Sequence, residues 1–309
     1  MNTHEFLRYK IREEDTLALL SKRVGMNPID LENFHNSICS INEQIHFENL
    51  SYCEFIYLPL HHLSQQELQV EKDTEKPTKE FSTAFYFPKY NVQEIFNHNE
   101  LLIDYSIKLD FEEEKGENVV SISRENLKKN DIIPDDKISL LALTCHQSIS
   151  PLSFKISRNG EFFSFHNHQE IIKRFEEKRP ELEDYQIGKI VENYLNMFES
   201  NIKNETYFLE LIKKTLLYQV LFPKRNWFYK TTSWEDNFYL DNQLLLCKFS
   251  ANYLHKDKIV HTIIKGETDN YGEFSFEYKT DRLTKKMLEA FAKITTENQD
   301  QTLKITQPT

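Results

Sequence analysis

The spacing of apolar residues changes character several times along the chain. Tyr9 and Ile11 alternate with polar neighbours and predict a short strand. Leu17, Leu20 and Val24 then recur at helical spacing behind Asp15 or Thr16, either of which can cap a helix. Gly25 stands where a helix end favours a left-handed residue, and Pro28 suits the first turn of a second helix, Ile29 to about Phe34. Phe55 to Leu58 reads as a second strand, ended by Pro59. Residues 1–60 are therefore expected to form a small strand–helix–helix–strand domain. Residues 61–80 are polar and charged and read as a linker.

From Phe81 onward strands come first: Thr83 to Phe87, Leu101 to Phe111 and Asn118 to Ser123, followed by an apolar run from Lys137 to Cys145. Pro151 to Phe165 alternates on both sides of Asn159-Gly160, the pattern of a hairpin with a type I′ turn. Three helices are expected next. The first runs from Gln169 to Lys178 and is broken by Pro180; the second and third cover Glu181 to Ser200 and Glu205 to Leu221, and Pro223 stops the last. Strands return at Trp227 to Thr231, Asn237 to Ser250, Lys258 to Lys265 and Glu273 to Thr280. A last helix is expected over Leu283 to Thr295, with residues 297–309 a disordered tail. Strands grouped in runs argue for an α+β domain over residues 81–296, with a mainly antiparallel sheet that can curl around its helices and leave a groove.

Composition narrows the function. The net charge of −11 disfavours nucleic acid and anionic membrane surfaces as partners. Lys224-Arg225 and Lys285-Lys286 are read as solvated surface pairs. With six glycines there is no phosphate-cradling motif. No apolar run approaches the roughly 20 residues of a membrane span. Met1 to Arg12 lacks a secretory apolar segment, and the four cysteines are scattered without a C-x-x-C, so a cytoplasmic, reduced protein is expected. The glycosylation-like Asn49-Leu-Ser51 and Asn204-Glu-Thr206 then read as chance matches.

Candidate chemistry is sparse. His166 and His168 would share one side of a strand and could begin a metal site with Glu170, but nothing completes the set. Cys145-His146 would point to opposite faces of a strand, so this histidine could not activate this thiol. Glu112 to Glu114 with Glu117, and Glu176-Glu177 with Glu181 and Glu183, lie in polar runs and read as solvated faces. No catalytic residue, metal or cofactor is expected. The densest aromatic stretch, with Trp227, Tyr229, Trp234 and Tyr239, is the candidate partner-binding surface.

The marks Tyr9-x-Ile11, Asp15-Thr16-Leu17, Leu20-Ser21, Leu31 and Ile56-x-Leu58-Pro59 together resemble a LysM domain. That resemblance implies a groove for N-acetylated sugars between two loops, carrying Glu14, Asp15 and Thr16 on one and Phe34, His35 and Asn36 on the other. Glu14 replaces the family's usual glycine, and Cys53-Glu54 its Gly-Gln. The segment is also acidic, with five Lys/Arg against nine Asp/Glu. LysM-like modules without a signal peptide occur in spike and baseplate components of contractile injection systems. The resemblance thus implies a non-enzymatic adaptor or chaperone whose partner is an effector or a spike or baseplate protein, with peptidoglycan- or chitin-type glycan binding as the alternative.

Overall fold

A computed structural model describes residues 6–12, 15–39, 43–46, 50, 53–59, 76–97, 100–185, 188–240, 242–256, 258–268, 272–296 and 300–308. Glu14 and most of the expected linker, residues 61–75, lie outside them. The chain divides into two compact units, Met1–Glu75 and Lys76–Thr309.

The first unit has the order β1 (Phe6–Lys10), α1 (Leu17–Arg23), α2 (Pro28–Asn36) and β2 (Phe55–Pro59). The two strands pair antiparallel, Phe6 opposite Pro59 and Tyr9 opposite Ile56. Thr16 caps α1 by accepting the Leu19 amide, and Gly25 follows the helix at φ 64°. Asn27 caps α2 in the same way, with Pro28 in its first turn. The helices place Leu17, Leu20, Val24 and Leu31 against Leu7, Tyr9, Ile56 and Leu58, forming a buried core.

The second unit is α+β and built on one sheet of eleven strands. Its first half contains β3 (Lys89–Phe96), β4 (Leu101–Glu114), β5 (Glu117–Lys129), α3 (Lys137–Ser148), β6 (Leu152–Ile156) and β7 (Phe162–Phe165). Four helices follow: α4 (His168–Tyr185), α5 (Lys189–Lys203), α6 (Glu205–Lys214) and α7 (Leu216–Leu221), then a 3-10 turn, Arg225–Tyr229. The second half is a meander of β8 (Trp234–Leu240), β9 (Gln243–Lys256), β10 (Ile259–Thr268), β11 (Gly272–Asp281), β12 (Met287–Thr295) and β13 (Asp300–Thr306). The spatial order is β7-β6-β5-β4-β3-β13-β12-β11-β10-β9-β8, and each neighbouring pair is antiparallel.

Several expectations are corrected. Residues 300–306 are not a tail: β13 lies at the centre of the sheet, between β3 and β12, with Leu303 and Ile305 fully buried. The helix expected over Leu283 to Thr295 is instead β12, whose buried positions Ala290, Ala292 and Ile294 have period two. Two of those three side chains are alanines, which hid the alternation. Strand β3 was missed and takes the place of the strand expected at Thr83 to Phe87, which is a 3-10 turn over Thr83–Phe85. Lys137 to Cys145 is helical, and Trp227 to Thr231 is part of a 3-10 turn and its exit. Helix α4 runs through Pro180, where Arg179 ties it to Asn196 and Glu199 of α5. The single helix expected over Glu205 to Leu221 is split at Thr215. The β6–β7 hairpin is present, but its loop is five residues long: Gly160 alone takes a positive φ (92°), and Ser157 bonds both Gly160 and Glu161.

The core of this unit is rich in rings. Phe249 and Phe274 lie opposite Gly266 across β9, β10 and β11, and a Cβ at 266 would come within 2.3 Å of the Phe274 ring. Only glycine lets those two rings cover the strand there.

Candidate functional site

The two end strands of the sheet, β7 and β8, contribute to the same cleft of about 440 Å³. One wall is the β6–β7 hairpin, with Gly160, Glu161 and Phe162; the other is β8, with Asn237, Phe238 and Tyr239, and the start of β9, with Leu244 opposite Tyr239. The floor is Tyr218, Gln219, Phe222 and Trp227, and α6 adds Glu210 and Lys213. Eleven strands have therefore curled until their ends face each other across a gap. The connection from α7 to β8 bridges it. Arg225 donates its amide to Asn159 O (2.9 Å), and Lys224 reaches both Asp236 (2.6 Å) and Glu161 (3.6 Å). Phe162 packs on Phe222 at 4.7 Å, and Trp227 on Phe249 at 4.9 Å.

The charges around the cleft are paired. Glu210 accepts from the Tyr239 hydroxyl and from Lys213 (3.2 Å). Burial works against the Glu210 carboxylate, but those bonds and the charges of Lys213 and Lys214 bring its pKa below the usual range. Burial, reinforced by Glu210, raises Tyr239 to about 12. Burial likewise opposes Asp236, and Lys224 with the Trp227 indole holds it lowered. The cleft continues past Tyr239. A second depression shares Glu210, Tyr239 and Leu244 with it and extends along α6 to Tyr207 and Asn204. The result is an open groove beside the edge of β8, in which Leu244 is 53% and Tyr207 47% exposed.

Of the four aromatic candidates, Trp227 and Tyr239 line this cleft. Trp227 is buried, its Nε1 donating to Asp236 at 2.8 Å, so it is floor and not contact surface. Tyr229 is spent within the chain: its hydroxyl donates to Pro77 O, and the Lys79 cation lies 4.9 Å from its ring. Trp234 stacks on Phe249 at 5.5 Å, outside the cleft. Lys224-Arg225 is not a solvated pair. Arg225 is fully buried, its guanidinium 3.9 Å from the Phe85 ring centroid and bonded to the Tyr86 hydroxyl (3.1 Å). Glu161, Glu210, Gln219 and Asn237 were not singled out in the sequence. They come from four elements and meet only through the curl of the sheet, so no local pattern marks them.

The sugar-loop candidates of the first unit serve its own fold. Asp15 accepts the Tyr9 hydroxyl and the Arg12 amide, both at 2.8 Å, and Thr16 is the α1 cap. His35 is fully buried: Nδ1 accepts the Tyr57 amide (3.1 Å), so Nε2 carries the proton it donates to Glu43 O (2.8 Å). Burial lowers its pKa, partly offset by Glu43. Asn36 clamps the backbone of Ile45 through both ends of its amide, each at 2.8 Å. Phe34 is half-buried.

The other candidates do not converge. His166 faces Glu114 (3.4 Å), while His168 donates from Nε2 to Ile202 O (2.7 Å) from a buried position. Cys145 is buried in α3, and burial pushes its thiol up to about 11. Among the described residues no group of three or more His, Cys, Asp or Glu is placed to hold a metal ion, and no helix is long and apolar enough to cross a membrane. The chain matches no family model, no curated protein and no solved structure.

Proposed function

We propose that this chain is a non-enzymatic binding protein, an adaptor that holds a polypeptide partner in the groove between the end strands of its large sheet. The observation that carries the reading is the convergence of β7 and β8 on one open groove with Tyr239 and Leu244 turned into it. The groove is elongated, which suits an extended chain better than a compact ligand. Its charged residues already have partners, so what enters need not neutralise them. Tyrosine is enriched at the centres of protein interfaces, and the exposed Leu244 beside it adds apolar surface that an incoming chain would cover. The resemblance of the first unit to LysM modules supports a partner from a secretion or contractile injection system, an effector or a spike or baseplate component met in the cytoplasm.

Co-purification from the native host tests this with wild type and Leu244→Glu. Leu244 is exposed, so the substitution leaves the fold intact. A protein that stays with the wild type through gel filtration and is lost from Leu244→Glu at unchanged melting temperature is the expected result. Equal retention by both overturns the assignment of the groove.

A further inference from the structure

The edge of β8 is already occupied at one position, and the occupant shows what chemistry fits there. Gln219, on α7, presents its carboxamide to Tyr239 as a neighbouring strand would. The Tyr239 amide donates to Gln219 Oε1 (3.1 Å), and Gln219 Nε2 donates to Tyr239 O (3.3 Å). A planar amide offering one acceptor and one donor is the repeating unit of a β-ladder. The pairing of Leu240 with Gln243 closes a two-residue turn, which puts Tyr239, Asn237 and Glu235 at the alternate positions whose amides and carbonyls point away from β9. Asn237 and Glu235 are exposed, and the Asn237 amide is folded back onto its neighbour's carboxylate, Asp236 Oδ1 (2.8 Å). The cleft runs beside this edge at residues 237–239.

Strand parity adds a direction. Eleven strands in successive antiparallel pairs make the first and last run the same way, so β7 and β8 cannot pair antiparallel across the gap. One inserted strand antiparallel to β8 is antiparallel to β7 as well.

We propose that β8 accepts an additional antiparallel strand from the partner polypeptide, and that Gln219 is a placeholder for it. This rests on the reading of the groove as a polypeptide site. The incoming backbone displaces the Gln219 amide at Tyr239 and continues along Asn237 and Glu235. Its outward side chains lie beside Tyr239. Until then Gln219 and the charges of Glu235 and Asp236 protect the edge from pairing with other chains. Main-chain bonds of this kind give affinity without demanding a particular sequence, and side chains at alternate positions give selectivity.

The experiment uses the full chain and a phage library of random twelve-residue peptides. Selected peptides are resynthesised and measured by fluorescence anisotropy, each also with single N-methyl groups along its length. An added strand predicts a loss of about tenfold or more at alternate positions and little between them. Gln219→Ala removes the competitor and is expected to tighten binding about five- to tenfold, if the placeholder is closed 80–90% of the time. Asn237→Pro deletes an outward amide while sparing the β9 ladder, and is expected to weaken binding about tenfold at unchanged circular dichroism. Peptides that bind in a Leu244-dependent way but ignore N-methylation, or are unaffected by Gln219→Ala, overturn strand addition and leave the groove as a polypeptide site. Selection of no peptide overturns both.

Discussion

The two regions in which sequence placed binding residues have opposite structural economies. In the first unit, Asp15, Thr16, His35 and Asn36 spend their polar atoms on neighbouring backbone or on Tyr9. In the cleft of the second unit, Tyr239 spends its hydroxyl on Glu210 but keeps its ring at an open groove, beside an exposed leucine. Polar side chains are thus fixed by the fold in the first unit, whereas in the cleft the fold presents an aromatic ring and a leucine. Polar residues on loops become structural when the loop is long and needs its backbone bonded, as the segment around Glu43 and Ile45 does through His35 and Asn36. Where rigid elements already hold the backbone, as β8 and α6 do around the groove, polar side chains pair with one another and leave a ring and a leucine facing the opening.

The sharpest way to break this contrast is His35→Ala. The substitution removes the acceptor of the Tyr57 amide and one of the donors to the Glu43 carbonyl, which keeps Cys53 Sγ at 3.2 Å, and opens a cavity in a small core. A destabilisation of about 3 kcal/mol is expected for the first unit, a large part of what a domain of this size possesses. Denaturant unfolding of the full chain, followed by hydrogen exchange at β1 and β2, measures it. A cost below about 1 kcal/mol would return His35 to the candidate binding residues.

Acidity probes the same residue without mutation. His35 has a folded pKa below its ordinary 6.5, because burial disfavours the charged ring. The unfolded chain then binds more protons than the folded one. The stabilising contribution is complete above about pH 6.5, falls as pH drops below that value, and is gone once pH lies under the folded pKa. The melting temperature of the first unit is expected to decline from pH 7 to pH 5, and His35→Gln to flatten that decline. A His35→Gln profile as steep as wild type would assign the pH dependence to other groups.

Legibility in the sequence followed how far apart the interacting residues are. The elements of the first unit were legible because the cap at Thr16, Gly25 and Pro28 act over three or four residues; the cap at Asn27 was not singled out. The hairpin around Gly160 and strands β10 and β11 of the meander were visible for the same reason. By contrast, Asn237 to Ser250, expected as one strand, is the end of β8 and the start of β9, folded back at a two-residue turn that carries no glycine or proline to mark it. Strand β13 was not: Gln301, Leu303 and Ile305 are a weak alternation in a polar end, and they are buried only because β3, two hundred residues earlier, lies beside them. Arg225 was read as exposed because arginine almost always is; here rings from Phe85 and Tyr86 enclose it. Of the cleft, aromatic composition pointed to Trp227 and Tyr239, and the expected curl of the sheet pointed to a groove. Gln219 as an edge partner depends on where α7 meets β8, which no local pattern encodes.

The smallest expected effect is the most discriminating for the cleft. Tyr239→Phe removes the hydroxyl bonded to Glu210 and keeps the ring. Glu210 retains Lys213 at 3.2 Å, and its side chain is 38% exposed, so water replaces the lost donor. The edge pairing of Tyr239 with Gln219 uses main-chain atoms and is untouched. Stability should therefore fall by less than about 1 kcal/mol, which thermal melting of the full chain can read. A loss above about 2 kcal/mol would mean that Tyr239 is as structurally committed as His35. The distinction between a fixed loop and a presenting groove, on which the partner-binding reading stands, would then lose its clearest example.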